Sequence, residues 1–181
     1  TDGAGLVRDL TENLGLELRD RSILVLGAGG AARGILGPLL DCLPRTLAVS
    51  NRTHAKAEAL AAQFAPLGPI EAISPETLRG HRFDLVVNST SVGVASDTHD
   101  WPTSVFAPGA FAYDLVYADQ PTQFVRWAAQ HGAARTADGL GITAACRRYL
   151  EPLIGGEAYP PYKNGIPAYV TLKGARVRRR L

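Results

Sequence analysis

The chain has 181 residues, 46% of them hydrophobic and 20% charged, with a formal net charge of +2. That balance reads as a soluble, globular chain, and the length suits one domain with a substantial core. No apolar run reaches the length of a membrane span; the nearest, 23–40, is broken by Arg33 and its glycines.

The opening residues, TDGAGLVRDL, hold neither a basic n-region nor an apolar h-region, so no secretory signal is read there and a cytoplasmic location is expected. Cys42 and Cys146 stand apart without metal-ligand spacing, and neither a disulfide nor a metal site is expected. The chain contains no methionine, which reads as a fragment or a processed product. Lys163, Lys173, Arg176, Arg178, Arg179 and Arg180 follow Glu157 with no acid among them. The basic balance therefore belongs to the tail, and the rest of the chain is net acidic.

Leu6, Val7, Leu10, Leu14 and Leu16 recur at helical spacing and predict an amphipathic helix over 4–16. SILVL (22–26) then predicts a buried strand, followed by Gly27-Ala28-Gly29-Gly30-Ala31-Ala32 and a helix over 31–40. The turn matches G-x-G-x-x-A: the first glycine permits a tight turn, the second admits a pyrophosphate to the backbone, and Ala32 allows close helix–strand packing. The following helix would point its N-terminal N–H groups at the anion. A tight strand–helix turn without ligand is the alternative.

TLAVS (46–50) predicts the second strand, ending in Ser50-Asn51-Arg52-Thr53 before a helix over 55–64. An NAD site would place Asp or Glu near this point for the ribose hydroxyls. Here no carboxylate would repel a 2′-phosphate; Arg52 can pair with it, Asn51 and Thr53 can hydrogen-bond, and Lys56 adds charge. The pattern reads as an NADP site, the alternative being a solvated helix start capped by Thr53.

Strands are further predicted over 69–73, 84–88 and 111–116, with a helix over 122–130. Strands alternating with helices predict a mostly parallel sheet covered on both faces. NSTSVG (88–93) follows the fourth strand, where ligands of open α/β sheets collect. The four histidines show no metal spacing, and Asp97 and Asp100 read as part of a polar loop. From Gly155 the composition turns to Gly, Pro, Tyr and Arg. Tyrosines interleaved with cations there raise single-stranded nucleic acid as a ligand, but a disordered or non-homologous end is the stronger account and no nucleic-acid partner is expected.

TDG at the start, GAGGAAR, NRTHAK, NSTSVG, YDLVY and DGLG occur in one order, and together they resemble the shikimate dehydrogenase family from residue 1 to about 141. The resemblance implies a doubly wound, mostly parallel, Rossmann-like α/β fold with NADP as cofactor. It also implies the reversible reduction of 3-dehydroshikimate to shikimate in aromatic amino-acid biosynthesis. It assigns Gly27, Ala28, Gly29, Gly30 and Ala31 to the pyrophosphate, and Asn51, Arg52, Thr53 and Lys56 to the 2′-phosphate. Thr90, Ser91, Leu115 and Gly139 would lie along the cofactor toward its nicotinamide, Tyr117 would contact substrate, and Asp2 would bind a substrate hydroxyl and assist proton transfer.

The departures from the family matter as much. Its catalytic lysine and Ser-x-Ser element belong to an amino-terminal substrate domain, and nothing similar occurs in this chain, whose lysines are Lys56, Lys163 and Lys173. Cys146 stands where the family has a substrate-touching glutamine. The expected organisation is an inter-domain helix and substrate-site remnant over 1–16, a dinucleotide-binding domain over 17–154 and an atypical basic tail over 155–181. Activity would need the amino-terminal domain. A non-catalytic NADP-binding module and a quinate/shikimate dehydrogenase using NAD are the rival readings, the second opposed by Asn51 and Arg52.

Overall fold

The computed structural model describes residues 2–90 and 101–142. Ser22–Leu26 forms β1, and its unbroken apolar run is explained by what lies on either side. Ile23 and Val25 enter one core cluster and Leu24 and Leu26 the other, as successive side chains of a strand must. A sheet covered on both faces leaves no position for alternating polar residues.

The remaining strands are β2 (Thr46–Ser50), β3 (Ile70–Ala72), β4 (Phe83–Asn88), β5 (Phe106–Asp114) and β6 (Arg135–Asp138). They form one sheet in the order β3-β2-β1-β4-β5-β6, with every pairing parallel. This is the doubly wound arrangement, whose strand order reverses between β1 and β4 and opens a crevice beyond their carboxyl ends.

On one face lie α1 (Asp2–Arg8), α2 (Gly30–Asp41) and α3 (His54–Phe64); on the other lies α4 (Gln123–Gln130). Leu6, Ile35, Leu36, Leu39 and Leu60 pack against the first face, whereas Phe124 and Ala128 pack against the second. Pro38 lies within α2 and has no N–H to give Gly34, so that carbonyl is left without its intrahelical partner. Gly3 of α1 is pressed against this carbonyl and the Pro38 ring, a crossing too close for any side chain at position 3. No helix among the described residues is long and apolar enough to cross a membrane.

Three differences from the sequence reading have local causes. The helix expected over 4–16 is α-helical only to Arg8, then widens into a π-turn over Asp9–Asn13, with the Leu14 N–H reaching back to the Asp9 carbonyl at 3.0 Å. β5 begins earlier than expected and ends at Asp114 because the Val116 N–H turns to the Asp114 carboxylate at 3.1 Å and leaves the ladder. β6, Arg-Thr-Ala-Asp at the sheet edge, carries almost no apolar signal and was not expected. The tail from 155 lies outside the described residues, as do Cys146, Asp97 and Asp100.

Candidate functional site

With every strand parallel, all carboxyl ends emerge along one edge of the sheet, and the residues singled out from sequence follow those ends. Gly27 to Ala31 leave β1, Asn51 to Lys56 leave β2, Thr90 leaves β4, Leu115 and Tyr117 leave β5, and Gly139 leaves β6. Ser91 falls outside the described residues. Asp2 is the first residue of α1, which packs against α2.

The glycine turn is built by its neighbours. Gly27 has φ +109°, donates its N–H to the Ser50 carbonyl at 2.7 Å, and would place a Cβ 2.7 Å from Ser89 Oγ. Position 27 therefore tolerates only glycine, for reasons of backbone and of space. Ser89 secures the other side, giving both N–H and Oγ to the Leu26 carbonyl at 2.9 and 2.7 Å.

Gly29 and Gly30 differ in kind. A Cβ at either would meet nothing within 4 Å, and both are exposed together with Ala31. Gly29 caps α2 without a side-chain hydrogen bond, so the first N–H groups of a twelve-residue helix face this open space. Donors, positive dipole end and empty volume coincide, which fits a pyrophosphate.

At the end of β2 the Asn51 side chain donates to the Thr53 carbonyl at 2.9 Å, and Thr53 caps α3 without a side-chain bond. Arg52, Thr53 and Lys56 are exposed, with no carboxylate between 50 and 57. Thr53 is thus the N-cap of a solvated helix start, but its side chain makes no capping bond. The basic group is displayed at the edge that the glycine turn shares.

A buried polar network, overlooked in the sequence, joins β4 and β5 beyond the switch point. Asn88 Nδ2 donates to Asp114 Oδ1 at 2.9 Å, while Asn88 Oδ1 accepts the Thr90 N–H and hydroxyl at 3.2 and 2.7 Å. Asp114 Oδ2 accepts the Thr122 hydroxyl at 2.6 Å, and Thr122 Oγ1 in turn accepts the Val125 N–H at 3.2 Å, capping α4. Burial pushes the Asp114 carboxyl above its ordinary value, opposed by the hydrogen bonds from Thr122, Val116 and Asn88. The network holds Thr90 and the Leu115 strand exit in fixed relation; the signal for it was a polar residue closing each of two apolar strands.

Thr122→Ala removes both a cap and a donor to a buried carboxylate. Its expected cost is on the order of 1–3 kcal/mol, read as a lower urea midpoint at unchanged slope, with Thr122→Ser retaining most of the stability.

The sixth strand closes the site. Gly139 donates its N–H to the Val116 carbonyl at 3.3 Å, and a Cβ there would strike the Leu115 carbonyl and lie 3.4 Å from Tyr117 Cδ1. The structure therefore brings Leu115, Tyr117 and Gly139 together. Among the described residues no group of three or more His, Cys, Asp or Glu is arranged to hold a metal.

The family model for shikimate/quinate 5-dehydrogenase matches residues 9–100. A shikimate dehydrogenase (NADP(+)) of Alkalilimnicola ehrlichii is 53% identical over 142 residues, covering 78% of this chain and 52% of the relative. One of Methylococcus capsulatus is 49% identical over 142 residues, covering 78% and 51%. Among solved structures, shikimate 5-dehydrogenase of Thermus thermophilus, in complex with NADP(H) and shikimate, superposes with a TM-score of 0.67 at 31% identity, covering 85% of this chain and 56% of that one. The chain thus spans about half the length of the curated relatives it matches.

Proposed function

Since the chain belongs to the shikimate/quinate 5-dehydrogenase family, we propose that it is the NADP-binding part of a shikimate dehydrogenase, a cytoplasmic enzyme interconverting 3-dehydroshikimate and shikimate. The observation that carries this reading is the open glycine turn over the start of α2, flanked by a β2 end that offers Arg52 and Lys56 and no carboxylate. NADP, when bound, supplies or accepts the hydride.

This chain's residues do the holding and positioning. The N–H groups from Gly29 to Ala31 bind the pyrophosphate, with Gly27 and Ala28 shaping the turn. Arg52 and Lys56 bind the 2′-phosphate by charge, with Asn51 and Thr53 alongside. Thr90, Ser91, Leu115 and Gly139 lie toward the nicotinamide, Tyr117 meets substrate, and Asp2 holds a substrate hydroxyl and its proton. In this organisation 1–16 links to a substrate domain and 17–154 is the cofactor domain, with 155–181 a tail outside it.

Calorimetry with the two cofactors tests the reading. The chain should bind NADP more tightly than NAD by roughly tenfold to a hundredfold, the worth of a charge-assisted bond made only to the 2′-phosphate. Arg52→Ala should remove most of that preference by weakening NADP alone. Equal affinity for both cofactors in the unaltered chain would refute the assignment.

A further inference from the structure

Asp9 and Tyr113 belong to no part of the site assembled so far, yet they form a buried side-chain link between the π-turn after α1 and β5. Asp9 is 3% exposed; its Oδ2 accepts the Tyr113 hydroxyl and its Oδ1 accepts Asn13 Nδ2, each at 2.6 Å. Tyr113 is wholly buried at the end of β5. Burial first, and then the hydrogen bond to the Asp9 carboxylate, push this phenol far above its ordinary value, so the hydroxyl remains a donor.

A third element meets the pair. A Cβ at Gly141 would collide with both carboxylate oxygens of Asp9, and Ile142 lies in the same core cluster as Tyr113. The turn after β6 is thus gripped at 141–142 by Asp9 and Tyr113, while at Gly139 it presses on Leu115 and Tyr117. An apolar pair would fill the same space without desolvating a carboxylate. What the polar pair adds is a fixed direction, since a short hydrogen bond specifies orientation where aliphatic packing permits sliding. The π-turn over Asp9–Asn13 is the local distortion that accompanies this arrangement.

We propose that the Asp9–Tyr113 hydrogen bond is a positioning clamp that sets the 139–142 turn, and through Gly139 the Leu115–Tyr117 segment, for binding the nicotinamide half of the cofactor. Asp9 and Tyr113 are positioning residues and touch no ligand. The inference rests on the preceding reading of the cofactor site. The phosphate-binding turn leaves β1, separated from β5 by β4, so the clamp acts on one half of the ligand only.

The test compares two probes on the full 181-residue chain: NADPH, and 2′-phospho-ADP-ribose, which lacks the nicotinamide. The unaltered chain should bind NADPH more tightly. Tyr113→Phe keeps the ring and removes the donor; it should weaken NADPH about tenfold, the effect of one lost hydrogen bond, while leaving 2′-phospho-ADP-ribose within about twofold. Gly141→Ala displaces the same turn without altering Tyr113 and should give the same split, deciding the matter if Tyr113→Phe does not fold. Asp9→Asn retains an acceptor and should recover most of the NADPH affinity that Asp9→Ala loses. Parallel weakening of both probes would make the pair merely structural and overturn the clamp, as would weakening of neither, or equal affinity of the unaltered chain for the two. Failure of the unaltered chain to bind 2′-phospho-ADP-ribose would overturn the cofactor reading itself, and the clamp with it.

Discussion

Gly29→Val should abolish NADP binding and leave the fold intact. Gly29 has φ −90° and ψ −165°, an extended conformation that valine adopts readily, and a Cβ built there meets nothing within 4 Å. The protein therefore loses little by the substitution. The ligand loses its place, because the branched side chain enters the space above the α2 N–H groups that the pyrophosphate would fill. Calorimetry should register no binding at concentrations that saturate the unaltered chain, while the melting temperature shifts by no more than a few degrees, about 1 kcal/mol or less. Normal binding by Gly29→Val would show that the phosphates lie elsewhere. Gly27→Val offers the contrast: with φ +109° and Ser89 Oγ in the way, it should damage the fold before any ligand is considered.

The 181-residue chain made alone is expected to bind cofactor and yet turn over shikimate very poorly. The reaction needs a group to take and return the alcohol proton, and the family resemblance pairs Asp2 with a lysine that this chain does not match. Loss of one positioned acid/base costs about 10²–10⁴ in rate, and loss of the surface that orients substrate multiplies the deficit. The measurement is NADPH formation with shikimate in excess, followed by nicotinamide absorbance. Adding the amino-terminal half of a close relative should raise the rate if α1 docks against it. Robust turnover by the chain alone would show that lysine-independent chemistry operates, and the role given to Asp2 would fall.

Both expectations draw on features of unequal legibility. The glycine turn could be read because its shape depends on missing side chains, and absence is visible in a sequence. Asn51 and Arg52 could be read because the contrast with an acidic residue is a matter of charge at one strand end. The Asn88–Asp114–Thr122 network was harder: each residue looks like an ordinary polar strand end or helix cap until β4 and β5 lie side by side. Asp9 left one trace, a carboxylate among Leu6, Val7 and Leu10 on a helix otherwise read as simply amphipathic.

What the sequence by itself determined is therefore local: the buried strands from unbroken apolar runs, the helices from their period, and the tight glycine turn from small residues between the two. Those signals lie within a few residues of one another, so neighbouring chemistry suffices to specify them. Tertiary structure alone decided the rest. β6 is a strand because the edge of β5 offers it hydrogen bonds, which Arg-Thr-Ala-Asp could not announce. The helix expected over 4–16 widens at Asp9, where a tyrosine 104 residues later donates to its carboxylate. A hydrogen bond across that separation exists only once the sheet has brought its two ends together, and no pattern in either segment contains the other's position.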